Sequence, residues 1–99
     1  MVTIIVNARS ILDNRIALTE ISFVELVVWE VPAPVRGSNH FFKYRLALMA
    51  DGECVLRYDN EAGKGDHKHI GSAELPYQFQ DIEKLKDDFL KDVEQWLKK

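Results

Sequence analysis

Cysteine is almost missing from the sequence: Cys54 is the only one, so no internal disulfide can form. A lone thiol fits a reducing compartment, and no basic region followed by an apolar run and a small-residue cleavage site marks the N-terminus as secretory. No apolar run approaches the roughly 18 residues that a membrane span needs. We therefore expect a cytoplasmic protein that has no membrane partner.

An excess of positive charge is also lacking, since the net charge is −3 at pH 7. That balance argues against a protein that coats nucleic acid by bulk electrostatics, although a local cluster of cations could still bind it. Apolar residues make up 46% of the 99 positions, which is enough for one modest hydrophobic core. The whole chain, 1–99, is therefore predicted to form one domain.

Segments rich in β-branched and aromatic residues, separated by turn residues, predict an antiparallel meander of about four strands. The strand segments cover residues 2–6, 21–31, 40–50 and 53–60. Residues 9–20 are ambiguous, and Asp13-Asn14-Arg15 within them indicates a turn between two strand pieces. Pro32 and Pro34 interrupt the pattern because proline cannot donate to a strand ladder.

The last segment has the spacing of an amphipathic helix, with apolar residues three or four positions apart. These residues are Ile82, Leu85, Phe89, Val93, Trp96 and Leu97. Asp81 can cap the start of the helix. The apolar stripe needs a surface to cover, and the sheet is the partner that the chain provides. The predicted fold class is therefore α+β, with this helix packed on one face of the meander.

Asp51-Gly52 is a strong signal for a two-residue hairpin turn. If the two strands pair without interruption, paired residues have position numbers that add up to 103, and paired residues share a face. The predicted pairs are Leu46 with Arg57, Arg45 with Tyr58, and Tyr44 with Asp59. Tyr44, Arg57 and Asp59 would then share one face, and Lys43, Arg45 and Tyr58 the other. A slip of one residue would reverse this arrangement.

The densest chemistry lies in the run RYDNEAGKGDHKHIGS, residues 57–72. Gly63, Gly65 and Gly71 predict that the part of this run after the strand is a flexible loop. If the loop is extended, His67 and His69 point to the same side, about 7 Å apart. Such a pair could act as base and acid, in either order, on one phosphodiester. Arg57, Lys64 and Lys68 could hold the phosphate. These five residues are the predicted catalytic set.

Five further residues are predicted to bind or position the substrate. Tyr58 could stack on a base or donate to a phosphate, and Asp59 or Asp66 could orient an imidazole. Lys43 and Arg45 could extend a track of phosphate contacts. A purely structural interpretation, in which these charges form a solvated loop and local ion pairs, is the alternative.

Established phosphate and metal motifs are not matched. Gly63-Lys64-Gly65 is not a P-loop, because neither Ser nor Thr follows Lys64. Cys54 with His67 and His69 does not have a recognised zinc spacing, and adding Asp66 to the two histidines leaves the ligand count short for a structural site. No metal and no cofactor is therefore predicted.

The same run carries a family resemblance. It resembles the TumE family of small toxins from prokaryotic toxin–antitoxin modules, and the likeness extends over roughly residues 23–96. The matching elements are Tyr58-Asp59-Asn60-Glu61, Gly63-Lys64-Gly65-Asp66-His67, His69-Ile70-Gly71, Pro76-Tyr77 and Phe79. A second matching block is the strand–proline turn–strand of residues 27–48, with Trp29, Pro32, Pro34, Lys43 and Tyr44 in place.

The resemblance implies a growth-arresting toxin that a cognate antitoxin, expected to be of the helix-turn-helix type, holds in check. Toxins of similar size and build, such as the RelE-like group, are mRNA endoribonucleases, so by analogy of fold we expect RNA cleavage by histidine acid–base chemistry. The alternative is a non-catalytic protein that inhibits growth by binding, with the 57–71 loop as its contact surface.

Overall fold

The structure is a computed structural model and describes residues 7–99. This part of the chain contains one antiparallel sheet and one helix. The strands are β1 (Arg9–Ala17), β2 (Ser22–Glu30), β3 (Phe42–Ala50), β4 (Glu53–Glu61), β5 (Gly65–Ile70) and β6 (Ala73–Pro76), and the helix is α1 (Ile82–Leu97). Each strand pairs with the next in chain order, so the sheet is a six-stranded meander. Within residues 7–99, no helix is long and apolar enough to cross a membrane.

The α+β class is confirmed, but the expected number of about four strands is too low for the described residues. Asp13, Asn14 and Arg15 lie in the middle of β1, paired with β2, so the predicted turn there is wrong. A polar strand is stable at this position because β1 lies at the edge of the sheet formed by the described strands and is mostly exposed. The predicted strand at residues 2–6 lies outside the described residues.

The segment predicted to be a flexible loop is a β-hairpin instead. β4 continues to Glu61, and β5 begins at Gly65. Gly63 and Gly65 have φ of 87° and 74°, in the left-handed region that favours glycine, and so allow the chain to reverse within three residues. A Cβ on Gly65 would lie 2.8 Å from the Gly37 carbonyl oxygen. The proline-containing connection, residues 31–41 between β2 and β3, therefore packs closely against this turn.

The hairpin between β3 and β4 has the predicted turn but not the predicted register. Ala50 pairs with Glu53 and Met49 with Cys54, yet the next pair is Leu48 with Leu56. Val55 is thus an extra residue in β4, a β-bulge that advances every later pair by one. The observed pairs are Ala47 with Arg57, Leu46 with Tyr58 and Arg45 with Asp59. The predicted assignment of residues to faces is therefore wrong beyond the bulge.

The core lies between α1 and one face of the sheet, as the helix pattern predicts. Leu85, Phe89 and Val93 are buried against the sheet. Their partners on the strands include Val24, Leu26, Val28, Tyr44, Leu46, Leu48, Leu56 and Tyr58. The Asp81 carboxylate accepts a hydrogen bond from the Lys84 amide at 2.7 Å, which confirms the predicted cap. The helix covers this face, and no described helix or strand covers the opposite face of the sheet, here called the open face.

Candidate functional site

The open face brings together side chains from three neighbouring strands. Asp59 on β4 pairs with Arg45 on β3 and with His67 on β5. In the adjacent row, Arg57 pairs with His69. Paired residues share a face, and alternate residues along a strand return to it. The bulge at Val55 therefore places Arg57 and Asp59 on the open face together with both histidines.

The Asp59 carboxylate lies at the centre of this cluster. Its Oδ1 is 2.9 Å from His67 Nε2, and its Oδ2 is 3.0 Å from Arg57 Nε. His67 Nδ1 lies 3.0 Å from the Gly65 carbonyl oxygen. The rings of His67 and His69 meet edge to face with their centroids 4.8 Å apart. The predicted alternation of the two imidazoles onto one side is confirmed.

Three atoms of the cluster are buried without a hydrogen-bond partner among residues 7–99: Arg57 Nε, Asp59 Oδ1 and His69 Nε2. The 3.0 Å approach of Arg57 Nε to Asp59 is therefore an ion-pair contact in which the N–H group does not point at the oxygen, and the 2.9 Å approach of His67 Nε2 to Asp59 Oδ1 is not a hydrogen bond either. Buried polar atoms without partners are uncommon, because each carries an uncompensated desolvation penalty of about 1–3 kcal/mol. Such atoms mark the cluster as a place where a ligand or an ordered water would supply the missing partners.

The histidines differ in their access to solvent. Only 6% of the His67 side chain is exposed, whereas His69 is half-buried. A hollow of about 270 Å³ opens beside them, lined by residues that include Trp29, Lys43, Arg45, Arg57 and Asp59. The wall thus has three cationic side chains and two carboxylates, Asp59 and Glu61, and this excess of positive charge suits an anionic ligand. The histidines border this region from β5 but are not among the lining residues.

A larger hollow of about 870 Å³ lies near the start of α1. The described residues that line it include Glu30, Asp81 and Glu83 but neither Lys nor Arg. Arg9 and Lys86 lie outside this lining and are paired with Glu30 and Glu83, each at 3.0 Å. The lining itself therefore presents carboxylates and neither Lys nor Arg, which disfavours a phosphate ligand. The smaller hollow on the open face is therefore the better candidate for a nucleic-acid site.

Comparison of the chain with protein families shows which family it belongs to. The family described as Toxin TumE matches residues 2–97. The chain belongs to the TumE toxin family. No curated protein and no solved structure matches it. The predicted resemblance is confirmed and includes the N-terminal part of the chain, where the sequence offered no matching motif.

Three of the residues predicted for the site of this TumE-family toxin lie elsewhere. Lys68 points to the helix face, where its Nζ is 3.3 Å from Asp92 Oδ2. Tyr58 is buried in the core with 1% exposed, and its hydroxyl donates to Asp92. Lys64 lies on the turn before β5, 3.7 Å from Glu61. The prediction that Lys64 and Lys68 converge with the histidines is wrong, and Tyr58 has no free ring face on which a base could stack.

Asp66 also faces away from the histidines, and it joins three segments of the chain. Its carboxylate accepts hydrogen bonds from Ser38 Oγ at 2.5 Å and from Tyr44 OH at 2.7 Å. His40 Nε2 lies 2.7 Å from the same carboxylate. Because His40 Nδ1 accepts from the Phe42 amide, its Nε2 carries the hydrogen and donates. Asp66 therefore orients His40 rather than His67 or His69.

Burial raises the pKa of the Tyr44 and Tyr58 phenols well above their usual range, and the carboxylates that they contact raise it further. Both hydroxyls therefore stay protonated and donate to Asp66 and Asp92, respectively. These two tyrosines are structural donors, and neither is available as a base.

Two residues of the region were not singled out from the sequence. Glu74 on β6 pairs with His69, and its Oε1 lies 3.8 Å from His67 Nε2. The two-residue turn Gly71-Ser72 could have indicated this pairing. Asn60 is 1% exposed; its amide donates to the Phe42 carbonyl and its Oδ1 accepts from the Tyr44 amide. These two side-chain bonds take the place of main-chain hydrogen bonds at the end of the β3–β4 pairing, and no sequence signal marks that role.

Proposed function

We propose that this TumE-family toxin is an endoribonuclease whose catalytic cluster consists of Arg57, Asp59, His67 and His69. The observation that supports the proposal most strongly is that a guanidinium and two imidazoles meet on the open face, beside a hollow with a cationic wall. Histidine suits proton transfer near neutral pH, and arginine can bind a phosphate through two parallel hydrogen bonds. Lys43 and Arg45 lie in the same wall as Arg57 and would contact further phosphates of an RNA backbone.

The four residues would have different roles because their access differs. His69, the more exposed imidazole, takes the proton from the ribose 2′-OH as that oxygen attacks phosphorus. The P–O5′ bond breaks, a 2′,3′-cyclic phosphate forms, and the leaving oxygen takes a proton from water. Arg57 stabilises the additional negative charge on the phosphoryl oxygens. His67, held between the Gly65 carbonyl and Asp59, positions His69 through their edge-to-face contact.

A pair of neighbouring substitutions tests this assignment. His69 and Lys68 are adjacent in sequence, but their side chains lie on opposite faces of β5. His69→Gln should reduce cleavage of labelled RNA by about 10²–10⁴-fold, the usual contribution of a general base. Lys68→Ala removes a cation from the same strand and should leave the rate nearly unchanged. Growth arrest after induction should be lost in the first variant and retained in the second.

Both variants need to be folded for the comparison to be valid, which far-UV circular dichroism and chemical unfolding establish. Cleavage is measured with EDTA present, so that chemistry which depends on a metal ion is separated from chemistry by the side chains alone. Full activity of folded His69→Gln would refute the assignment of His69 as the base. Loss of activity in Lys68→Ala, with normal stability, would move the site to the helix face.

A second candidate function is inhibition by binding, without cleavage. The exposed Arg45 and the cationic wall of the hollow favour it, since they could dock RNA or an acidic protein whether or not the histidines react. In that case Arg45→Glu should abolish growth arrest, whereas His69→Gln should not. Absence of RNA cleavage by a folded protein that still arrests growth would favour this candidate.

We also propose, from the family membership, that a cognate antitoxin of the helix-turn-helix type restrains this toxin in the cytoplasm. Co-expression of the neighbouring gene in its host should suppress the growth arrest. A toxin that still arrests growth in the presence of every adjacent gene product would contradict the proposal.

A further inference from the structure

We infer that Asp59, His67 and His69 form a binding site for one divalent transition-metal ion. Each of the three residues offers one ligand atom, and these atoms all lie within 4.8 Å of one another. Asp59 and His67 are buried, and His69 is half-buried. Two imidazole nitrogens and one carboxylate oxygen make a donor set that suits zinc and its neighbours in the first transition row, rather than magnesium or calcium.

The hydrogen bonding of His67 provides the first argument. The Gly65 carbonyl can only accept, so His67 Nδ1 must carry the hydrogen of their 3.0 Å contact. In the neutral imidazole, Nε2 then has a lone pair, and it faces Asp59 Oδ1 at 2.9 Å. Two acceptor atoms at this distance repel one another unless a cation, either a proton or a metal ion, is bound between them. Metal-bound histidines usually donate their second N–H to a carbonyl or carboxylate in this way.

The unpartnered atoms provide a second, independent argument. Asp59 Oδ1 and His69 Nε2 are both buried, and no residue that the structure describes offers either of them a hydrogen bond. Arg57 lies against the other oxygen of Asp59, at 3.0 Å, and so would hold the carboxylate while leaving Oδ1 for a metal ion. A shared cation would satisfy both of the unpartnered atoms at once.

The ligand atoms would reach the geometry of a zinc site by rotation of the side chains. With bonds of about 2.0–2.1 Å, tetrahedral ligand atoms are about 3.3–3.4 Å apart. The 2.9 Å pair would open slightly, and the most distant pair, up to 4.8 Å apart, would close by rotation of the half-buried His69. Three protein ligands leave a fourth position, as in catalytic zinc sites. Glu74, which is 3.8 Å from His67 and has a mostly exposed side chain, could occupy that position.

The metal ion would compete with the proposed chemistry, an expectation that rests on the proposed function. An imidazole that binds a metal through one nitrogen carries a hydrogen on the other, so it has no lone pair left to accept a proton. Zinc should therefore inhibit RNA cleavage, and EDTA should restore it. Metal binding itself is measured without RNA, so it can succeed or fail independently of the nuclease proposal.

Calorimetric titration of the full chain with Zn²⁺ tests the site. The Cys54→Ser variant is the starting protein, because Cys54 is exposed and is the only thiol in the sequence. We expect one Zn²⁺ per chain. Loss of a partner that only supports a metal ligand weakens binding by about 10–100-fold, so His69→Gln and Asp59→Asn should each weaken it at least as much. Lys68→Ala, on the opposite face, is the matched control and should not change the affinity.

Imidazole NMR provides a test that needs no variant of the cluster. The chain has three histidines, and the third, His40, is hydrogen-bonded to Asp66 and does not belong to the cluster. Stoichiometric Zn²⁺ should shift the ring signals of His67 and His69 and leave those of His40 unchanged. Equal shifts of all three, or an unchanged affinity in folded His69→Gln, would overturn the site, as would the absence of Zn²⁺ binding by the folded starting protein. Zn²⁺ binding with stimulated cleavage would retain the site and refute His69 as a free base.

Discussion

Replacing Asp66 by Ala should destabilise the protein strongly without acting on the proposed catalytic cluster. Asp66 accepts hydrogen bonds from Ser38, His40 and Tyr44, at 2.5, 2.7 and 2.7 Å. The donors come from the proline-containing connection and from β3, whereas Asp66 is on β5. The carboxylate therefore holds together segments that are distant in sequence, and its removal leaves three donors without their acceptor.

The size of the effect follows from the number of bonds and their environment. A hydrogen bond to a charged group contributes about 1.5–3 kcal/mol, so three represent about 4.5–9 kcal/mol before any relaxation. A hollow of about 400 Å³ adjoins Asp66 and His40 and would admit water to the released donors. We therefore expect Asp66→Ala to lower the free energy of unfolding by about 3–5 kcal/mol, a large part of the about 5–15 kcal/mol typical of a domain.

Urea unfolding followed by tryptophan fluorescence measures this loss. Asp87→Ala is the control, because Asp87 is an exposed carboxylate on α1 and its removal should change stability by no more than about 0.5 kcal/mol. If Asp66→Ala does not fold, Tyr44→Phe removes one of the three bonds and should lower stability by about 1–2 kcal/mol.

A small loss of stability together with a loss of RNA cleavage would instead place Asp66 in the active site. A loss below about 1 kcal/mol would refute the argument that its hydrogen bonds hold the two segments together. If such a stable variant also failed to cleave RNA, the substrate-binding role predicted from the sequence would be correct and the structural role proposed here would be wrong.

Two further predictions concern buried polar groups. Asn60→Ala should lower stability by about 2–4 kcal/mol in urea unfolding, because it leaves the Phe42 carbonyl and the Tyr44 amide without partners; a loss as small as that of exposed Asn39→Ala would contradict this. The three tyrosines, all with raised pKa, should stay protonated in the folded state as pH passes about 10, the usual value. Since the unfolded chain then releases protons first, stability should fall above that pH, and absorbance at 295 nm should rise only with unfolding; a gradual rise in the folded protein would contradict the expectation.

Local patterns were sufficient to predict several elements of the fold. The spacing of Leu85, Phe89 and Val93 predicted both α1 and its buried side, because a helix has a fixed period. Asp51 has φ of 51°, and the hairpin turn that Asp51-Gly52 predicts is present. The alternation of His67 and His69 onto one side also followed from the period of a strand, although the segment was expected to be a loop.

The bulge at Val55 shows where local patterns stop being informative. One extra residue in β4 exchanges the faces of Arg57, Tyr58 and Asp59, and nothing in the surrounding residues marks its position. The residue types alone could not show which residues belong to the site. Lys68 and His69 are both suited to contact a phosphate, and Asp66 and Asp59 are both suited to orient an imidazole. Which of them share a face depends on the pairing of distant strands.

By itself, the sequence determined the α+β class, the C-terminal helix, its cap and the membership in a toxin family, because each depends on residues that are near one another or on the motif as a whole. Only the tertiary structure decided that Arg57, Asp59, His67 and His69 form one cluster, while Lys64, Lys68, Tyr58 and Asp66 lie elsewhere. The physical reason is that a strand has two faces and a period of two. A single bulged residue in β4 therefore exchanges the faces on which the following residues of that strand lie.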